Sequence, residues 1–282
     1  MAFINENSCE CAKSELDLFG MGPTQTSIET SSYCEYHPLT SLDGNNTIDF
    51  EIGGSGEDYV DLNNTLLRIK AKITQTNGTN LPDDDAVAPV NYFMHSLFSQ
   101  IDIFMNGTQI TSSTNTYAYR AILEALLSFG NDAKKTQLAG AMYYKDEGGK
   151  MDAAAVNDDD SNSGFMSRRH QTRQSRIVDM IGHIHSDMLF QDSYLLNEVT
   201  IKIRLTRNKD SFCLMGAHER TVKIVGAQLL VRKVKLSPSV LLAHAQAIEV
   251  SSAKYPIKRV VCKSFTIPNG VRDVNQEKLF SG

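Results

Sequence analysis

The chain has 282 residues, 41% of them apolar and 22% charged, with a net charge of −5. That composition excludes a disordered chain and a surface that coats nucleic acid generally, and the length suits one large β domain or two ordinary ones. The N-terminus carries no basic-then-apolar signal pattern and the apolar runs are too short to span a bilayer. The five cysteines, Cys9, Cys11, Cys34, Cys213 and Cys262, form no disulfide framework, so reduced thiols and synthesis inside a cell are expected.

Residues 1–45 are polar and broken by Gly20, Gly22 and Pro23, which predicts an extended arm with little core of its own. Strand signals then begin. In TIDFEIG, Ile48, Phe50 and Ile52 share one face, the period of two that a half-buried strand needs. GGSGEDY is a turn. TLLRIKAKIT sets Leu67, Ile69, Ala71 and Ile73 against Arg68, Lys70 and Lys72. A one-residue slip there would bury three cations, so the register is fixed.

A polar loop precedes PVNYFMHSLFS, read as a short helix. QIDIFMNGTQI is a hairpin whose Asn106-Gly107 supplies the two positive-φ positions of a type I′ turn. TNTYAYRAILEALLSFG changes period: Tyr119, Ile122, Leu123 and Leu126 recur at three and four. Asn115 or Thr116 is the expected N-cap of this helix and Gly130 its stop. A second helical piece follows, then a long polar loop, DEGGKMDAAAVNDDDSNSG. Strands are expected again near 177–185, 197–207 and 220–235, the last long enough to be bent or bulged. SPSVLLAHAQAIEV is a helix with Pro238 in its first turn, and YPIKRVVCKSFTIP is one more strand.

With no alternation of strand and helix, a parallel sheet is excluded. The fold class expected is all-β with inserted helices, an antiparallel jelly-roll sandwich of two facing sheets. The strand after Pro238 has no partners left in the sequence. It either extends this sandwich or opens a second domain.

Candidate chemistry is sparse. His183 and His185, two apart on an expected strand, share a face, but two ligands make no metal site and surface or interface histidines are expected. Asp83–Asp85 and Asp158–Asp160 lack the glycine and terminal glutamate of a calcium loop. Cys9 and Cys11 are too close for a zinc or redox motif. The glycine-rich 53–58 stretch lacks the helix start of a phosphate cradle. SRRHQTRQSR carries Arg168, Arg169, Arg173 and Arg176 without an acid. It is a possible contact loop for nucleic acid or an acidic neighbour, or a solvated loop balancing the nearby aspartates. With no complete catalytic set, no enzyme activity, metal or cofactor is expected.

Six collinear blocks carry a resemblance: SELDLFGMGPTQTSIE (14–29), IDFEIGGSGEDYVDL (48–62), APVNYFMHSLFSQIDIFMNG (88–107), TNTYAYRAILEALLSFG (114–130), DMIGHIHSDMLFQDSYLLNEVTIKIRLTR (179–207) and VRKVKLSPSV (231–240). Together they resemble the major capsid protein of Polinton (Maverick) elements and adintovirus-like viruses. The resemblance implies a double jelly roll in one chain, with three chains forming a pseudo-hexagonal capsomer of an icosahedral shell. It implies 1–45 as an arm, 46–236 as the first jelly roll, and 237–282 as a linker helix plus the first strand of an incomplete second one. The chain is then expected to be a fragment, from a degraded integrated copy, a partial gene model or a truncated product. Expected partners are other copies of itself, neighbouring capsomers and a minor (penton) capsid protein, with packaged DNA weakly suggested. The expected place is the virion, after synthesis in the nucleus or cytoplasm of a host cell. The alternatives are a lectin-like binding module and, third, a cupin-type enzyme, which would need a metal triad beyond His183 and His185.

Overall fold

The computed structural model describes residues 18–19, 24–54, 56–156, 161–216, 219–267 and 269–270. Two four-stranded sheets face each other. One runs in the order β1 (Ile28–Tyr36), β10 (Arg220–Leu236), β3 (Asp58–Gln75), β7 (Val178–His183). The other runs β2 (Thr47–Ile52), β8 (Ile201–Arg207), β5 (Phe98–Met105), β6 (Thr108–Gln109). All pairings are antiparallel, and a short ladder joins β4 (Val87–Pro89) to β9 (Leu214–Gly216).

Alternation decides which face is buried. Leu67, Ile69 and Ala71 of β3 join Ile48, Phe50 and Ile52 of β2 and Ile201, Ile203 and Leu205 of β8 in one apolar core between the sheets. Arg68 and Lys70 point away and pair with Asp179. β10 carries register shifts between Ile224 and Gly226 and between Leu230 and Arg232, the bulges that let so long a strand follow the sheet's twist. This is an all-β jelly-roll sandwich with helices inserted in its loops.

The hairpin β5–β6 turns on Asn106 and Gly107, at φ 47° and 80°. Gly54 has a different requirement. A Cβ there would sit 2.4 Å from the Glu198 carbonyl carbon and 2.5 Å from that of Val199, so only glycine lets these two backbones pass.

Several expectations are corrected. Residues 28–36, expected within the arm, are a strand paired along its length with β10. Their side chains are mostly exposed, so they show no clear apolar alternation, and the backbone ladder holds them as an edge with only Ile28 and Tyr36 packing partly on the core. β3 starts at Asp58, seven residues before the expected 65. β6 is only two residues long, and β8 starts at Ile201, not 197. Residues 255–267 form no strand. Cys9, Cys11 and Asp158–Asp160 lie outside the described residues.

The helices are α1 (Phe93–Ser96), α2 (Tyr117–Ser128), α3 (Asn131–Lys135), α4 (Ser163–Thr172), α5 (Asp210–Cys213) and α6 (Pro238–Val250), with a 3-10 turn at Leu138–Ala141. The chain from α2 to α4 is one long insertion between β6 and β7. The described helices include none long and apolar enough to cross a membrane.

Candidate assembly interface

A three-and-four recurrence of apolar residues ordinarily marks the buried face of a helix. In α2 it marks the opposite. Tyr117, Ala121 and Ala125 are the buried residues, while Tyr119, Leu123 and Leu126 are about half exposed (50%, 48% and 48%) and Leu127 is 85% exposed. Only Ile122 of the stripe packs against the core. Small side chains let the helix sit close to the sandwich, and the large ones are left outside. The helix ends also differ from expectation. Thr116 is the N-cap residue but makes no capping bond. Its hydroxyl instead donates to the Cys262 carbonyl. The chain turns extended at Phe129, and Gly130 (φ −72°) begins α3 without a left-handed stop.

The two charged residues of α2 are drawn inward. Arg120 donates to Glu124 (2.8 Å), one turn on, and to Asp187. Glu124 also meets His185 Nδ1 at 2.7 Å, and the other ring nitrogen of His185 lies 2.9 Å from the Tyr92 hydroxyl. Tyr117 donates to or accepts from His95 Nδ1 at 2.8 Å and accepts from the His185 backbone N–H. His95 and His185 stack edge-on, 4.8 Å between ring centres. Burial alone would raise the Glu124 carboxyl, but the His185 and Arg120 bonds outweigh it and hold it below its usual range. Glu124 is then an acceptor, so His185 Nδ1 carries the proton it donates. Burial, aided by His185 and His183, holds His95 well below the ordinary histidine range, so its ring is neutral. Its Nε2 has no partner among the described residues. Burial raises both tyrosines, keeping them protonated.

This corrects the reading of GHIH. His183 is exposed at the end of β7, whereas His185 lies beyond the strand and is 4% exposed, inside the network. The two do not share a strand face, and His185 is not a surface histidine. The described residues include no group of three His, Cys, Asp or Glu side chains placed to hold a metal ion.

The segment after α6, expected as an unpaired strand, lies along the outside of this network as a strap. The Tyr255 hydroxyl accepts from the Leu196 N–H and donates to the Tyr194 carbonyl. Gln191 donates to the Pro256 carbonyl, and the Val260 N–H donates to the Asp187 carboxylate. A cleft of about 60 Å³ remains between strap and α2, bordered by Tyr117, Arg120, Ser186 and Asp187. The strap keeps Ile257, Val261, Phe265 and Ile267 partly exposed.

The expected basic loop is a helix, α4, and its first arginine is the most deeply buried cation described. Arg168 has no exposed surface. It donates to the Pro89 carbonyl (2.8 Å), the Tyr144 carbonyl (2.9 Å) and Asp146 (2.8 Å). Every arm of the guanidinium is used, and α4 is clamped to β4 and to the segment at 144–146. Arg169 donates to the Asp83 and Asp85 carbonyls, which ties that acidic loop down. The Asp85 carboxylate meets Arg220 at 2.8 Å. Arg173 is half-buried, and only Arg176 stands fully exposed beside it. An accessible four-arginine contact surface therefore does not form. Of the cysteines, Cys213 is buried, and burial pushes its thiol up to about 12, so it is not a thiolate at neutral pH.

Sequence reasoning singled out His185 but missed its partners. Arg120 and Glu124 were findable as an i,i+4 pair. Tyr92, His95 and Asp187 come from three separate segments that only the fold brings together.

No family model matches the chain. A curated relative in Caenorhabditis elegans, uncharacterized protein F54H12.2, is 24% identical over 274 residues, which is 93% of this chain and 62% of that protein. The chain thus spans less than two thirds of the relative's length. Among solved structures, a chain of the Sputnik virophage aligns with a TM-score of 0.52 at 12% identity, over 84% of this chain and 54% of its own. The Faustovirus major capsid protein aligns with a TM-score of 0.49 at 10% identity, over 82% and 58%. The Sputnik alignment shows a shared jelly-roll fold.

Proposed function

We propose that this chain is a structural subunit of a viral-type protein shell, a capsid protein of the kind carried by Polinton elements and adintovirus-like viruses. The observation that carries the reading is the sandwich itself. Its two facing four-stranded sheets, with helices inserted between β6 and β7, share their fold with a virophage chain over 84% of this chain. The six sequence blocks lie in order along the same region. The side chains assembled by the fold are consistent with a scaffold rather than a reaction centre. The polar network engages most of its groups with one another, His95 Nε2 excepted, and Arg168 is spent on holding α4.

In this reading, 46–236 together with the edge strand β1 is the first of two jelly rolls. The strap and the residues beyond it lead into the second. Three copies close into a ring of heterologous contacts, the pseudo-hexagonal unit that tiles the shell. Neighbouring units and a minor capsid protein are its further partners. Mass measurement and electron microscopy of the purified 282-residue chain test this reading. Closed three-copy rings are expected, the pseudo-hexagonal outline being reserved for a chain that carries both jelly rolls. A chain that stays monomeric up to high concentration, or that grows open filaments, would overturn the reading.

A further inference from the structure

We propose that the outward stripe of α2 is a self-association seam, and that in the three-copy unit the three α2 helices meet about the three-fold axis. The inference rests on the shell reading and adds the contact surface to it. Tyr119, Leu123 and Leu126 are spaced by four and three residues, the spacing with which one helix receives another. Leu127 lies one turn from Leu123 on the same side. Tyr119 also touches Phe212 edge-on, with ring centres 5.6 Å apart, which widens the patch beyond the helix.

Charge argues for a second copy as the occupant. The only ionised groups of α2, Arg120 and Glu124, are turned inward and paired within the chain. The stripe's own side chains are uncharged, and the nearby Lys134 ammonium sits at its end on the Leu126 carbonyl, so like can meet like with that cation left at the rim. Area argues that it works inside a larger assembly. The stripe joins four large apolar side chains left 48–85% exposed, and the largest apolar patch of a soluble chain, roughly 300–600 Å², is often functional. A free-standing dimer needs about 800 Å² from each partner. One stripe falls short of that alone, but in a closed ring every copy meets two others.

The stripe's support is rigid. Ala121 and Ala125 are fully buried against the sandwich, and the Arg120–Asp187 and Glu124–His185 contacts fix the helix's rotation about its axis. Binding therefore needs little ordering, which keeps the entropic cost of association low.

The test uses the 282-residue chain, unmodified and as the double variant Leu123→Asp with Leu127→Asp, in sedimentation velocity over a range of concentrations. Both positions are exposed, so circular dichroism and melting are expected to match. The double variant is expected to lose at least tenfold in association constant. A photo-crosslinking amino acid at position 127, in a mixture of ordinary and nitrogen-15-labelled chains, is expected to give mixed-isotope links to the 117–129 peptide. Equal three-copy assembly by the variant would overturn the seam while leaving the shell reading intact. So would links that fall on α6 or β1 of the second copy. An unmodified chain that never associates would overturn the shell reading and the seam with it.

Discussion

The sandwich and the helical insertion are held together by different physics. Between the sheets the contacts are apolar and repetitive: Phe50, Leu67, Ile69, Ile203 and Leu205 are all fully buried and carry no polar atom on their side chains. Around α2 and α4 the buried groups are His95, His185, Tyr117 and Arg168, held by bonds of 2.7–2.9 Å. An apolar core loses stability in proportion to the volume removed and is indifferent to pH. A polar clamp is directional, so one missing atom strands its partners. The insertion is thus the part whose order depends on protonation and on single bonds, and it is also the part that carries the exposed stripe.

The largest effect should come from Arg168→Met. The side chain is of similar length and apolar, yet it takes the guanidinium from the Pro89 and Tyr144 carbonyls and leaves the Asp146 carboxylate with Asn162 as its neutral donor. A loss of about 3–5 kcal/mol is expected, read from urea denaturation. A change below about 1 kcal/mol would mean that the insertion, like the sandwich, is held mainly by apolar packing.

Acid should separate the two regions next. His95 is neutral when folded, and its proton affinity is depressed by burial. Above about pH 6.5 neither state of the chain protonates it. Below that, the unfolded chain gains a proton that the folded one cannot take. Stability therefore falls as pH drops, by up to about 1.4 kcal/mol per pH unit for this one group. His95→Gln should remove one proton's worth of slope between about pH 6.5 and 5. Parallel stability–pH curves for the variant and the unmodified chain would place the acid sensitivity elsewhere.

The smallest effect belongs to charge on the outer face of the sandwich. Asp49 is held below the usual carboxylate range first by its bond to Arg204, with Lys202 adding to it. Arg204 is 40% exposed and the Asp49 side chain 10%, so water and salt screen the pair from the arginine side. Asp49→Asn should cost less than about 1 kcal/mol at neutral pH, and less still at about 1 M salt. A loss matching that of Arg168→Met would erase the distinction between the regions.

What could be read from the sequence divides along the same line. β2, the second half of β3, β8 and β10 were legible because each buries one face, and burial writes a period of two into the residues. β1 was not, since a strand held by its backbone at an edge leaves no such mark. α2 was legible as a helix, but its orientation was not. Periodicity reports that apolar residues share a side, not whether that side meets the core or a neighbour. The cluster of Tyr92, His95, Tyr117, Glu124, His185 and Asp187 draws on segments as far apart as 92 and 187, and no local pattern encodes their meeting. The strap misled for a related reason. Its alternation suits a strand, but its hydrogen bonds go to side chains and loop backbone rather than to a neighbouring strand.

The position of β10 has a consequence in time. It lies between β1 and β3, with Leu236 opposite Ile28 and Arg220 opposite Gln75. Both partners leave the ribosome long before it does, with the whole insertion and the other sheet made in between. At about 5–20 residues per second, β1 and β3 wait many seconds for the strand that joins them. The edges that β10 will fill face water, or another chain, until it emerges. Pairings of such large sequence separation also close slowly, on the order of milliseconds to seconds once all the strands are present. The polar, mostly exposed side chains of β1 protect that interval. A nascent edge with no apolar stripe gives other chains little to hold while its own partner is still being made.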